Sequence, residues 1–213
     1  MLIKYFKFII IILFFNQNPL YSKSKSLNNF NANYLSNYFS GIVAHENKNN
    51  LEALQFFKSA RHLINKHDPY LEKYVYSLVL ENKVQQAIRE IKQNLTETNS
   101  SFFEAHLILA LDSLKKKNFK KSKDYLELSS KFINNDKFAL ILYETLKQYL
   151  YVFEENKILK TNKKFGDFSL INEVFLRCYL DDKNTQIYFQ NLVNNKNNVR
   201  AQGADYSRYI FFY

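Results

Sequence analysis

The sequence predicts an all-α fold, a solenoid built from antiparallel helix pairs. The first sign is a recurring pair of residues. Ala53 with Phe57, Ala87 with Ile91, and Ser122 with Leu126 each set a small residue four positions before a large apolar one, and the small residues lie 34 and 35 apart. Internal periods of roughly 20–50 residues mark stacked structural units. The second sign is composition: 3 Gly, 2 Pro and 46% hydrophobic residues in 213 leave few helix breakers and enough apolar side chains to fill a core. The third is apolar residues spaced at i, i+3, i+4 and i+7, cut by short polar turns at 47–50, 81–83 and 116–118. Composition alone leaves strands open, because Ile, Phe and Tyr are abundant.

Residues 1–22 read as an export leader: Lys4 and Lys7, then the unbroken apolar run 8–15, then a polar stretch ending near Tyr21 and Ser22. The run is shorter than the about 20 residues a membrane span needs. The expectation is a periplasmic protein cleaved near Ser22, with a retained inner-membrane anchor as the rival. Cleavage would lower the net charge from +10 to +8. No Cys follows the run, so a lipoprotein signal is not expected. The lone Cys178 permits no intrachain disulfide and is expected as a buried apolar residue on a helix.

After a polar lead-in over 23–33, the first helix carries Tyr34, Leu35, Tyr38, Phe39, Ile42 and Val43 on one stripe. Gly41 interrupts it. Gly costs about 1 kcal/mol inside a helix, and a neighbouring helix passing close by would justify it. The second helix carries Leu54, Phe57, Ala60 and Ile64. Asp68 and Pro69 signal the next helix start. Leu71, Tyr74, Val75 and Leu78 then face Ala87, Ile88, Ile91 and Leu95 across the second turn. The third unit sets Phe103, Leu107, Ala110, Leu111 and Leu114 against Phe119, Ser122, Leu126, Ser129 and Ile133. Residues 138–153 form a long apolar helix without the small-residue pattern. A Lys-rich loop follows around Gly166, then a degenerate helix pair over 168–180 and 185–193, and a last apolar stripe over 206–213. That stripe lacks the polar capping face of a terminal repeat. It is expected of a truncated protein, or else of a helix that docks elsewhere.

Gly41, Ala53, Phe57 and Ala60 stand at the intervals of the tetratricopeptide repeat, and residues 34–133 resemble three such repeats. The first lacks the early Trp and carries Ala44 where Tyr is usual. Residues 137–213 resemble the family loosely. The resemblance implies a right-handed solenoid of about five helix pairs, like those of exported tetratricopeptide proteins of Gram-negative bacteria. It also implies a concave face lined by the first helix of each pair. Here that face would draw on Tyr38, Ile42, Tyr76, Val79, Leu107, Leu111 and Leu114, an apolar lining suited to a bound helix or extended peptide. The Lys, Asn and Arg clusters with which some members clamp a carboxylate are not found at the matching positions. Helix 138–153 covering the same stripe is the competing expectation.

No chemistry emerges beside it. His45 and Glu46 lack the second His four residues on that a zinc protease needs, and His62, His67 and His106 share no ligand spacing. Cys178 has no evident base, and no phosphate-cradling loop or nucleophile elbow occurs. No cofactor or metal is expected. Asp181 and Asp182 read as a turn. Lysines 115–117, 120, 121 and 123, and 157, 160, 163 and 164, read either as solvated loops or as a patch for acidic partners, anionic lipid or nucleic acid; export argues against nucleic acid. The expected role is a non-enzymatic scaffold for a protein or peptide partner in the bacterial envelope. The alternative is a membrane-anchored subunit of an envelope-assembly or secretion complex.

Overall fold

The computed structural model describes residues 31–95, 101–160 and 167–194. The chain separates into Met1–Ala32 and Asn33–Tyr213, and the helices below belong to the second unit apart from the first residue of α1. The expected leader, most of the lead-in, Gly166 and the 206–213 stripe lie outside the described residues. Among those described there are nine α-helices, a short 3-10 turn at Arg61–Leu63 and no strand. The helices are α1 Ala32–Glu46, α2 Asn50–Ser59, α3 Pro69–Leu80, α4 Val84–Asn94, α5 Phe103–Lys115, α6 Phe119–Ser130, α7 Lys137–Glu155, α8 Asp167–Tyr179 and α9 Thr185–Asn194. From α2 onward each packs mainly on its neighbours in sequence, α7 rests on both α5 and α6, and α1 meets α2 through Tyr38 and Phe57.

Side chains at the starts and left-handed residues at the ends set the helix limits. The Asn49 side chain accepts from the Glu52 amide at 3.4 Å and donates to its carboxylate at 2.6 Å. Asn118 accepts from the Lys121 amide at 3.1 Å, and Asp136 from the Phe138 and Ala139 amides at 2.8 and 3.2 Å. Pro69 opens α3 as its sequence implies, but Asp68 makes no capping bond. It lies in helical backbone itself, with φ −51° and ψ −43°, which is not the extended geometry of a capping residue.

The same turn closes α1, α3, α5 and α8. Lys48, Asn82, Lys117 and Asp181 all have positive φ, between 52° and 61°. The following amide then reaches back five residues: Asn49 to the Ala44 carbonyl at 2.9 Å, Lys83 to Leu78 at 2.8 Å, Asn118 to Ser113 at 2.9 Å, and Asp182 to Arg177 at 3.0 Å. This is the Schellman closure, which satisfies carbonyls that a helix end would otherwise orphan. The first three turns repeat at intervals of 34 and 35 residues, an independent sign that the three hairpins share one plan.

Small residues let the paired helices close up. A Cβ placed on Gly41 would stand 2.8 Å from Cε1 of Phe57, whose ring is fully buried. Ala53, Ala60, Ala87 and Ser122 are fully buried, as are Phe57 and Ile91, while Leu126 is 3% exposed. Ser122 keeps its hydroxyl satisfied by donating to the Ala110 carbonyl at 2.8 Å, so a polar residue costs little there. One apolar cluster runs through the first two hairpins to Ala105 and Leu109 on α5. Smaller ones join α5 and α6 to α7 through Leu126, Leu146 and Leu150, and through Phe103, Ile133 and Ala139. Between the first two hairpins the Tyr70 hydroxyl donates to the Phe57 carbonyl at 2.5 Å.

Two substitutions test this geometry with opposite signs. Helix propensity alone favours Gly41→Ala by about 1 kcal/mol. The buried Phe57 ring makes it a net loss of about 1–3 kcal/mol instead, read by urea unfolding. Lys117→Gly relieves a left-handed side chain and is expected to raise stability by about 1 kcal/mol. A melting temperature unchanged or lowered by it would show that the turn is not strained as described.

Candidate functional site

The shared turn fixes which residues of α1, α3 and α5 correspond. Ile42, Tyr76 and Leu111 are equivalent, six residues before the left-handed residue in each hairpin. Ile42 is half-buried, whereas Tyr76 and Leu111 are 37% and 46% exposed. Val79 and Leu114 form a second row, one turn further along each helix, and both are half-buried. Leu107 and Leu114 lean on the clusters that contain Tyr143 of α7. Helix α7 therefore covers the edge of this face and leaves Leu111 open.

Tyr38 does not join the face. It is 3% exposed, with its ring 4.6 Å from His67, 5.9 Å from Phe57 and 6.2 Å from Tyr70. His67, from the connection between the first two hairpins, and Tyr70, from the first turn of α3, close over the ring. Periodicity along α1 carries no information about that connection.

Polar contacts hold the face across the hairpins. The Tyr76 hydroxyl donates to Glu104 on α5 at 3.1 Å. Burial and the adjacent Glu104 carboxylate push this hydroxyl up to about 12, so it remains a donor at neutral pH. Asp112, buried on α5, accepts from Lys92 of α4 at 3.0 Å and from Lys116 at 2.8 Å. The Lys116 hydrogen bond, opposed by burial and aided by Lys92, holds its carboxyl below the ordinary range. Arg61 grips Glu90 of α4 with both terminal nitrogens at 2.9 Å. None of these partners has a motif; each depends on how the hairpins stack.

The histidines are spread through the packing. His62 lies 4.6 Å from the Tyr34 ring, and His106 stacks on Phe132 at 5.4 Å with Nε2 3.0 Å from the Ser101 hydroxyl. Burial lowers the pKa of His106, and its Nδ1 has no hydrogen-bond partner among the described residues. No three His, Cys, Asp or Glu side chains converge among the described residues as a metal site. Asp182 is a turn residue, bonded to the Asn184 amide at 2.9 Å and to Arg177 at 2.5 Å. Cys178 is on a helix, but exposed rather than buried. Phe168, Leu170, Phe175 and Tyr179 of the same helix are exposed as well.

A cleft of about 270 Å³ lies between α6 and α7, lined by Lys123, Leu126, Tyr143, Lys147, Leu150 and Leu159. It is smaller than the roughly 300–1,000 Å³ usual for a small-molecule site. No sequence signal marks it, because Leu159 comes from the non-helical stretch after α7.

Asp112→Asn is expected to lower stability at neutral pH by about 1–3 kcal/mol, since it removes a charged acceptor shared by two lysines. The native carboxyl titrates below its ordinary value of 3.8. Its contribution is thus full above that value and fades as pH falls through the depressed one. Urea unfolding in a series of acid buffers should show the two proteins converging; a constant gap would mean the loss is one of packing.

Against known proteins, no family model, no curated protein and no solved structure matches this chain.

Proposed function

We propose that this chain is a non-enzymatic interaction module of the bacterial envelope. In this reading its hairpins form a right-handed solenoid of the tetratricopeptide type, holding an apolar peptide or amphipathic helix of a partner protein. The observation that carries the reading is the row Ile42, Tyr76 and Leu111: one structural position in three successive units, apolar each time, and exposed in the second and third. A large apolar side chain left in water at the same place twice has no packing reason. A partner presenting residues at i, i+3, i+4 and i+7 would cover such a row. Tyr76 adds an amphipathic contact of the kind enriched at binding hot spots. The envelope location rests on the sequence of residues 1–22. Among the described residues no helix is long and apolar enough to cross a membrane.

Affinity capture from envelope extracts tests it. Both Tyr76→Asp and Leu111→Asp proteins should keep their helicity. Leu111→Asp should also keep its melting temperature, since exposed substitutions usually change stability by no more than about 0.5 kcal/mol, while Tyr76→Asp should melt lower because it loses the Glu104 hydrogen bond and adds a like charge beside it. They should lose the species that the native protein retains. Leu51→Asp, an equally exposed apolar site on α2, should keep it. Capture of the same species by all four proteins would rule this row out as the binding surface.

A further inference from the structure

The third hairpin turn differs from its counterparts in charge alone. Aligned on their left-handed residues, the stretches 46–52, 80–86 and 179–185 carry net charges of −1, 0 and −1, whereas 115–121 carries +5. All four make the same backbone closure, so the fold asks for no lysine there. A lysine-rich composition acts on every turn and does not single out one. Lys115 and Lys116 have a local reason, since cations suit a helix C-terminus, and Lys116 pairs with Asp112 at 2.8 Å. Lys120 and Lys121 have none. They occupy the first turn of α6, which holds no acidic residue, and there positive charge opposes the helix dipole. The equivalent of Lys121 in the first hairpin is Glu52, in a turn capped by the same Asn. Lys115, Lys117, Lys120 and Lys121 are exposed and form no ion pair among the described residues, even with Asp124 one turn beyond Lys120.

We propose that the turn formed by Lys115, Lys116, Lys117, Lys120 and Lys121 is an electrostatic contact for an anionic membrane surface. The chemistry favours lipid over other polyanions. The cluster contains no arginine, so it lacks the planar fork that grips a single phosphate or carboxylate. It has no exposed aromatic on which bases could stack, Phe119 being half-buried. Flexible ammonium groups on one exposed turn suit the diffuse field of many headgroups, which attracts each nearby lysine independently. This contact does not depend on the apolar row of α1, α3 and α5.

Vesicle co-sedimentation of the full chain decides it. Vesicles of phosphatidylcholine alone are compared with vesicles of equal parts phosphatidylcholine and phosphatidylglycerol. The apolar run in residues 8–15 would act on both, so the difference between them is the readout. The native protein should favour the anionic vesicles, and salt should abolish the preference. The quadruple variant K115Q/K117Q/K120Q/K121Q should lose the preference at least tenfold, since each lysine is expected to contribute about fivefold. Its melting temperature should stay close to the native one, because the gain from removing two cations at the α6 N-terminus offsets the loss of Lys115 at the α5 C-terminus. The matching Lys→Arg variant should bind as the native protein does. Equal binding to both vesicles, an undiminished Gln variant, or tighter binding to duplex nucleic acid or polyglutamate than to anionic vesicles would overturn the proposal.

Discussion

Close approach of paired helices is the constraint on which the rest depends. Interhelix distances of about 8–10 Å are set by the side chains at the crossing. Here these are Gly41 against Phe57 in the first hairpin and Ser122 against the Ala110 carbonyl in the third. A larger residue at either crossing would separate the helices and expose rings now sealed. Fully burying a side chain such as Phe57, Leu54 or Ile91 is worth about 1.5–3 kcal/mol. A loss of contact in one hairpin therefore removes a sizeable fraction of the marginal stability of any domain. Because successive hairpins also pack on one another, α2 on α3 and α4 on α5, the loss would pass to neighbouring units.

The turn fixes what the crossing leaves free. A helix can slide along its partner unless its end is pinned, and the five-residue reach-back after Lys48, Asn82, Lys117 and Asp181 pins it. None of these positions is Gly, though Gly is the usual occupant. Asn82 and Asp181 belong to residue types that tolerate the left-handed region better than most, and Lys48 and Lys117 do not. The chain accepts that strain at two turns, and the side chains projecting there become available for other uses.

Much of this was legible in the sequence, and the misses share a cause. Turn positions, the small-residue crossings and the helical stripes follow from nearest neighbours along one helix, which periodicity reports directly. The stripe of α1 alone places Tyr38 on the concave face. It is buried because His67, from a connection with no periodic pattern, and Tyr70, from the first turn of α3 on the next hairpin, close over it. The apolar pattern of its helix places Cys178 in the core, yet it stands on the exposed side of α8 with Phe175 and Tyr179. The bonds from Lys92 to Asp112 and from Tyr76 to Glu104 join residues 20 and 28 apart. No local signal specifies such pairs; they follow from how one hairpin is laid on the next.

Repetition also separates what folding needs from what it does not. At the crossing positions the three hairpins converge on Ala, Ala and Ser, all fully buried. At the surface position of the apolar row they hold Ile42, Tyr76 and Leu111, and at the turn Glu52, Gln86 and Lys121. The backbone is the same each time, so it does not fix the residue type at these latter positions, although Ile42 packs on the core and Tyr76 and Gln86 bond to Glu104 and Tyr74. The apolar row keeps its character through all three units, as a continuous contact along successive first helices would require. The charge changes at one turn only, as a single point of attachment would require. Leu111 and Lys115 lie four residues apart on α5, hence on one face of the helix. If both proposals hold, a peptide on the row would be presented within about one helical turn, some 5 Å along the axis, of the lysines that meet the membrane.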